Sequence, residues 1–417
     1  MPPPTNARAA MTPAVVVVTL ILLLGIQPVT TDLYLPALPT LQRELGASIG
    51  AAQLTLSVLI ICFGVAQLAF GPLSDRFGRR PVLLGGLALY TLASGFGALA
   101  QGIEALVAWR ALQGAAMAAA VTGGRSIVRD LYPPHEGAHV MSKALGGLGV
   151  IAMLSPLIGG VLVQRLDWHA ALLVLALFGA ATLAFVALRF EETVPRLDPH
   201  ATRLAPLWRN WREVLANRCF RAWAALLCLS FGGLFCLLAG SSFVFIEVLG
   251  VSRMAYGAII ASSSVAYVAG TWLCRRLLRG HGLRDTVRIG AWLSLAGGLG
   301  MASLSLAGVH NVWAIMLPQY LFAMGHGIHQ SCGQAGVVGP FPEKAGTAAS
   351  LAGFLMMLTA FGVGLWLGRG LNGTVYPMTL GVGAFSIAIA WAAWTRVQRD
   401  GEPAAASHDP STAAEPA

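Results

Sequence analysis

The chain has 417 residues, of which 56% are hydrophobic and 11% charged. Water-surrounded domains carry about 25% charged residues, so an ordinary soluble globule is excluded. The net charge of +9 does not mark a nucleic-acid binder either: the cations fall in short segments between apolar runs, where they orient a chain in a membrane.

Residues 1–13 form a polar, Pro-rich lead. Twelve apolar runs follow, at 15–41, 49–70, 81–101, 103–127, 138–164, 168–190, 220–249, 254–279, 286–308, 311–338, 345–370 and 374–396. Each is about one bilayer crossing long, which takes ~20 residues. The first run exceeds the ~7–15 residues of a signal-peptide core and many more follow, so it is read as a span rather than a cleaved leader. The six cysteines form no C-x-x-C pair, so neither a metal knuckle nor a disulfide framework is expected. The fold class is all-α, a membrane protein of twelve transmembrane helices.

Asp32, in TTDLYLPALP, lies about nine residues, or ~13 Å, before the end of the first run. An acid inside a span costs ~2.5–3.5 kcal/mol on insertion scales and normally faces a polar cavity. The bland alternative is a charge at a helix end. The segment Gly71 to Pro81, GPLSDRFGRRP, joins the second and third runs. Its three arginines, Arg76, Arg79 and Arg80, mark a cytosolic turn. Gly78 permits the tight reversal, Gly71 and Pro72 are expected to close the preceding helix, and Asp75 is expected to pair with an arginine or a helix N-terminus. Arg110 stands ~10 Å inside the fourth run, with Gln113, Gly114 and Met117 following on nearly the same face. The depths of Asp32 and Arg110 match, so the two are expected to share one cavity. In the fifth run, Ser155, Gly159 and Gly160 flank Pro156 and allow close helix contact.

The longest connection, 191–219, divides the chain into halves at 14–190 and 220–396. In it Leu204, Leu207, Trp208, Trp211, Val214 and Leu215 recur at helical spacing with arginines between. Two placements stay open: on the anionic inner leaflet, or packed on the cytosolic ends of the bundles. In the seventh run Phe231, Phe235, Phe243, Phe245 and Glu247 are candidates for an aromatic, adaptable pocket. In the tenth, MGHGIHQSCGQ places His326 and His329 one turn apart beside Gln330. Polar residues this dense in a span suggest a cavity wall. No metal is expected there, since a structural site needs four ligands. The tail, 397–417, is read as disordered.

With the N-terminus in the cytosol, 22 of the 27 Lys and Arg fall in cytosolic segments and 4 in outer loops. That split places both termini inside.

The loop from Gly71 to Pro81 resembles the signature G-x-L-x-D-R-x-G-R-R of the major facilitator superfamily. T-D-x-Y-x-P-x-L-P around Asp32 and Tyr34 resembles the first-helix motif of its drug:proton antiporters. R-x-x-Q-G at Arg110 resembles the fourth-helix motif linked to proton coupling, and Ser155 to Gly160 the antiporter motif G-P-x-x-G-G, with serine for its first glycine. FVFIE and FPEKAGTAASLAGF resemble the bicyclomycin- and chloramphenicol-resistance branch, over 14–396. The resemblance implies two six-helix bundles with substrate bound between them. It further implies a bacterial inner-membrane exporter of small drug-like molecules that exchanges them for protons, works as a monomer, and needs no cofactor and no nucleic acid. A metabolite exporter or uptake symporter is the alternative on the same fold. A membrane enzyme or receptor finds no nucleophile–base pairing or nucleotide loop to support it.

Overall fold

The computed structural model describes residues 11–402. Helices account for nearly all of them, and no strand occurs among the described residues. The first six spans are Pro13–Glu44, Ile49–Phe77, Arg79–Ala98, Ile103–Leu131, Pro134–Arg165 and Trp168–Arg189. A linker helix, Leu204–Ala216, follows. The last six are Arg218–Val248, Arg253–Leu277, Leu283–Leu306, Val312–Val338, Ala345–Gly370 and Tyr376–Asp400. Eleven of these helices are long and apolar enough to cross a membrane. The tenth, Val312–Val338, has the length, 27 residues, but Gln319, His326, His329 and Gln330 dilute its apolar character. It packs among the seventh, eighth and ninth spans, so its polar side chains are covered by protein rather than lipid.

Side-chain oxygens start the helices. Ser48, Asp167, Asn217, Ser252 and Asn311 each accept a backbone N–H two or three residues into the helix they precede, satisfying groups that hydrocarbon leaves without partners. Gly78, at φ +101°, is the reversal between the second and third spans, a conformation that side-chain-bearing residues rarely adopt. The second helix does not close at Gly71 and Pro72 as expected. It runs on to Phe77 with Pro72 inside it; a proline removes one N–H, a loss that neighbouring groups within a bundle can absorb.

Spans one to six form one bundle and seven to twelve another, joined along two seams: second span on eleventh, fifth on eighth. The seams close at the end opposite the signature loop. There Gln53 Nε2 donates to the Ala239 carbonyl at 2.5 Å, Arg253 Nε to Thr40 Oγ1 at 2.8 Å, and Met254 N to Gln164 Oε1 at 2.9 Å. Among the described residues, every hydrogen bond between the bundles lies at this end. Glycines allow the approach. A methyl placed on Gly160 would lie 2.5 Å from the Arg253 carbonyl oxygen and one on Gly257 2.3 Å from that of Pro156, across the fifth–eighth seam; within the first bundle one on Gly159 would lie 2.2 Å from the Leu33 carbonyl oxygen, so the fifth span meets the first as closely. Toward the signature-loop end the fifth–eighth seam falls away, Gly146 and Gly149 of the fifth span meeting nothing within 4 Å, while the second–eleventh seam continues, with Gly353 against Gln67.

The linker helix meets the seventh and eleventh spans. Val214 is buried, and Glu213 pairs with Lys344 at 2.5 Å. Leu204 and Trp208 remain 78% and 68% exposed, so one face packs on the bundle and the other is open. The tail is ordered further than its composition suggests. Val397 is buried, Gln398 Nε2 donates to the Arg284 carbonyl at 2.9 Å, and Trp223 Nε1 donates to the Gly401 carbonyl at 2.9 Å. These contacts tie residues 397–402 to the second bundle, against the disorder read there; 403–417, like the lead up to residue 10, lies outside the described residues.

Replacing Gly159 by alanine is expected to force the Leu33 backbone aside and cost about 1–3 kcal/mol. Gly71→Ala, where nothing lies within 4 Å, should be silent. Thermal unfolding of both purified variants in one detergent checks this; equal midpoints would refute the close packing of the first span on the fifth.

Candidate functional site

The first span is not one continuous helix. Its regular turn stops at Asp32, gives a 3₁₀ turn at Leu35–Ala37, and resumes over Leu38–Glu44. Pro36 and Pro39 account for the break, since neither can supply the N–H a continuing helix needs. Leu33, Tyr34, Leu35, Ala37, Leu38 and Leu41 beyond the break are all buried. Asp32 is therefore the last residue of a helix and still far from the chain's surface, which combines the two sequence alternatives. Its Oδ1 accepts from Thr31 Oγ1 at 2.8 Å. No cation among the described residues pairs with it. Leu33 packs on Gly159, and Tyr256 of the eighth span lies within electrostatic reach of the carboxylate. Asp32 thus sits where the first, fifth and eighth spans meet, on the seam between the bundles.

Arg110 is close by but does not pair with Asp32. Its guanidinium donates to Gln113 Oε1 at 2.6 Å and to the Thr30 carbonyl at 3.4 Å, and lies 4.0 Å from the centre of the Tyr34 ring. Gln113 Nε2 donates in turn to Ser94 Oγ at 2.6 Å. Tyr34 Oη meets Thr55 Oγ1 at 2.8 Å and Tyr90 Oη meets Thr30 Oγ1 at 2.6 Å. Arg110 is 1% exposed with its Nε unpartnered. It is held by dipoles and a ring face in place of a counter-charge, an expensive arrangement in hydrocarbon. Met117, two turns on, is buried in the first bundle. Thr30, Thr55, Tyr90 and Ser94 complete this network and escaped the sequence reading; lone hydroxyls in apolar runs give no local signal.

In the second bundle the two histidines part company. His326 Nδ1 lies 2.8 Å from Ser230 Oγ, with the Tyr267 and Phe231 rings at 5.8 and 6.5 Å. Phe231 stacks on Phe235 at 6.3 Å. Spans seven, eight and ten therefore bring Phe231 and Tyr267 to His326, with Phe235 stacked against Phe231. His329 turns instead to the ninth span, with Ser294 Oγ at 3.5 Å and the Val287 carbonyl at 3.4 Å, and is packed inside its own bundle. A three-residue offset turns a helical side chain by about 60°, enough to face a different neighbour. Gln330 is half-buried beside them, with its Oε1 unpartnered. Glu247 does not join the pocket: it pairs with Arg43 at 3.6 Å at the closed outer rim. Phe245 also turns away, packing 6.1 Å from Tyr256.

The signature loop is a closed ionic knot. Arg79 is buried and bonds Asp75 Oδ1 at 2.6 Å, Asp130 Oδ2 at 2.9 Å and Ser74 Oγ at 2.5 Å. It thereby ties the second, third and fourth spans together. Glu192 of the linker accepts the backbone N–H groups of Arg79 and Arg80 at 2.9 and 3.1 Å, capping the third helix. Arg76 donates to Thr202 Oγ1 at 2.6 Å, and Arg80 to the Ala187 carbonyl at 2.9 Å. Asp75 finds the arginine partner expected of it. Asp130 and Glu192 were missed because each lies far along the chain from the loop it serves.

Two bundles of membrane-crossing helices, related in layout and enclosing buried polar groups, define a polytopic transport protein. The chain belongs to the Major Facilitator Superfamily, whose family model matches residues 20–365. It is 31% identical over 340 residues to multidrug resistance protein D of Escherichia coli strain K12, covering 81% of this chain and 84% of that one. It is 30% identical to a chloramphenicol resistance protein of Pseudomonas aeruginosa, covering 77% and 75%. With a bicyclomycin resistance protein homolog of Haemophilus influenzae it shares 26% identity over 88% of this chain and 92% of the other. Among solved structures, a D-xylose–proton symporter superposes with a TM-score of 0.69 at 16% identity, covering 93% of this chain and 99% of the other. A bacterial homolog of the human lysosomal transporter Spinster, inward-facing and occupied, gives 0.68 at 15% identity, covering 93% and 96%. These two likenesses concern the fold.

Because Arg110 lacks a counter-charge, its removal need not destabilise. Arg110→Met, apolar and of similar reach, is expected to melt at or above the native midpoint. Arg110→Lys keeps the charge but loses the planar fork and leaves Gln113 short of a partner, at about 1–3 kcal/mol. A methionine variant melting below the lysine variant would show the arginine to be structural.

Proposed function

We propose that this protein is a proton-driven exporter of small drug-like molecules, of the kind represented by chloramphenicol- and bicyclomycin-type antibiotics, working by alternating access. The observation that carries the reading is Asp32: an acid without a basic partner, at a helix break, on the seam where the two bundles touch. The names of the relatives, one from a multidrug and two from single-antibiotic resistance systems, support the substrate class. The chain acts as a transporter rather than an enzyme. It resides in the bacterial inner membrane, with the arginine-rich loops and both termini in the cytosol, as the 22 to 4 division of basic residues requires. Protons are its coupling ion, it needs no bound cofactor, and it works as a monomer.

The fifth and eighth spans touch at the end opposite the signature loop and diverge toward it, so in this reading the conformation opens to the cytosol along that side. In it a drug enters between the bundles, against the rings around His326 on one side and Asp32 on the other. Sealing the seam over an ionised, unoccupied Asp32 would bury a bare carboxylate at ~2.5–3.5 kcal/mol, roughly a hundredfold against closure. Binding of drug, or of a proton, removes that penalty. The carrier therefore crosses outward with drug and returns with a proton, and the empty ionised carrier seldom crosses at all. That restriction is what makes exchange obligatory. Arg110, bonded to the carbonyl of Thr30 two residues before Asp32, is assigned to proton coupling through its hold on the first span rather than by pairing with the acid.

Asp32→Asn keeps the size and hydrogen-bonding reach of the side chain and removes its titration. It is expected to abolish uphill efflux driven by an imposed pH gradient in vesicles, while downhill equilibration of an uncharged compound persists. A cationic compound should bind more weakly, its counter-charge being gone. Uphill efflux at the native rate in this variant would eliminate Asp32 as the coupling acid.

A further inference from the structure

The eighth span ends, at the signature-loop face, in a group of side chains that the transport cycle leaves unused. Trp272, Arg275, Arg276 and Arg279 line one concavity of about 550 Å³. At about 100° per residue the four fall within an arc of ~100° on one side of the helix and its first following turn. The Arg276 guanidinium lies over the Trp272 ring at 5.6 Å. Among the described residues no carboxylate pairs with Arg275, Arg276 or Arg279. Their neighbours in the same loop are neutralised: Arg284 pairs with Glu402, and Arg288 with Asp285 at 3.2 Å. The matching loop of the first half is built the opposite way, with Arg79 held between two acids. Three adjacent cations facing one hollow call for an anion from outside the chain.

The same side of the helix, followed toward the bilayer centre, shows what that anion is attached to. Val268 and Val265 continue the line of Trp272 and are 53% and 61% exposed, as Trp272 is at 54%. Farther along, this side becomes the seam, where Gly257 meets the Pro156 carbonyl. On the fifth span, Gly149 and Gly146 lie within about 40° of the Gly160 line and have nothing within 4 Å. The two helices therefore diverge into a notch, apolar along its depth and basic at its mouth.

We propose that this notch is a binding site for one anionic phospholipid. Its phosphate sits among Arg275, Arg276 and Arg279, and an acyl chain lies along Trp272, Val268 and Val265. Guanidinium forks match phosphate oxygens in geometry and charge, and tryptophan seats at headgroup level. The site exists only while the fifth and eighth spans are parted. A bound lipid therefore favours the cytosol-facing conformation, and closing this end must expel it. This inference goes beyond drug–proton exchange and stands whether or not Asp32 is the coupling acid.

Native mass spectrometry of the full-length protein, titrated with phosphatidylglycerol or phosphatidylcholine, tests the proposal. The native chain is expected to retain one phosphatidylglycerol in preference to phosphatidylcholine. The triple variant R275Q/R276Q/R279Q should bind it roughly 100-fold more weakly, taking about fivefold per arginine at a membrane surface. R196Q/R203Q/R209Q, which removes the same charge from the linker, should leave retention unchanged. Val265→Asn with Val268→Asn, on the apolar wall, should weaken lipid binding while sparing the arginines. Equal loss in both arginine variants would reduce the effect to net charge and overturn the site. Binding of inorganic phosphate as tight as that of phosphatidylglycerol, indifferent to the valine changes, would make the ligand a soluble phosphate and overturn the lipid assignment.

Discussion

Backbone contact across the outer seam is the constraint on which the remaining structure depends. The fifth and eighth spans touch through Gly160 and Gly257, where the carbonyl oxygens of Arg253 and Pro156 face the missing methyl groups, and the first span reaches the fifth the same way, Leu33 against Gly159. Because lipid tails are as apolar as the helices, association in a bilayer relies on this kind of close packing. It holds the broken first span against the fifth and eighth, and that junction is where Asp32 resides. A seam glued by large side chains would resist opening; one built on small residues and three interbundle hydrogen bonds can part without leaving a large cavity behind.

Charge is handled differently at the two depths of the molecule. At the signature-loop surface the buried arginine, Arg79, is surrounded by Asp75, Asp130 and Ser74, and the knot ties three helices together. Inside the first bundle Arg110 has only dipoles and the Tyr34 ring. The first arrangement stabilises a helix junction. The second costs stability, and an uncompensated cation persists in a membrane interior when its potential is of use to a neighbouring site. The second bundle contains no such charge in its core. Its His326 is bonded to a serine and ringed by aromatics, a surface suited to neutral, apolar compounds of varied shape. In the proposed cycle the two bundles divide the work: the first carries the acid, the second the adaptable contact area.

Much of this was open to reading residue by residue. The succession of long apolar helices, the family, the arginine partner of Asp75 and the reversal at Gly78 were all legible in local composition and short motifs. Each rests on single residues or short runs whose character is independent of the rest of the fold. Readings that required a direction fared otherwise. His326 and His329 looked equivalent, yet one faces the ring cluster and the other its own bundle. Glu247 lies beside FVFIE but points to Arg43 at the rim. Asp32 and Arg110 share a depth and do not pair. Pro72, read as a helix end, sits within a helix because neighbouring groups and spans compensate for the bond it lacks.

The sequence alone determined which segments are long and apolar enough to enter a bilayer, because transfer of a side chain from water to hydrocarbon is a property of that side chain. Only the tertiary structure decided which polar groups meet. The Arg79 carboxylates come from 130 and 75, the cap of the third helix from Glu192, and the hydroxyls around Arg110 from 30, 55, 90 and 94. These partners are separated by tens of residues and brought together by the rotation of each helix about its axis. That rotation is set by the packing of whole faces, to which no single residue contributes enough to be recognised along the chain.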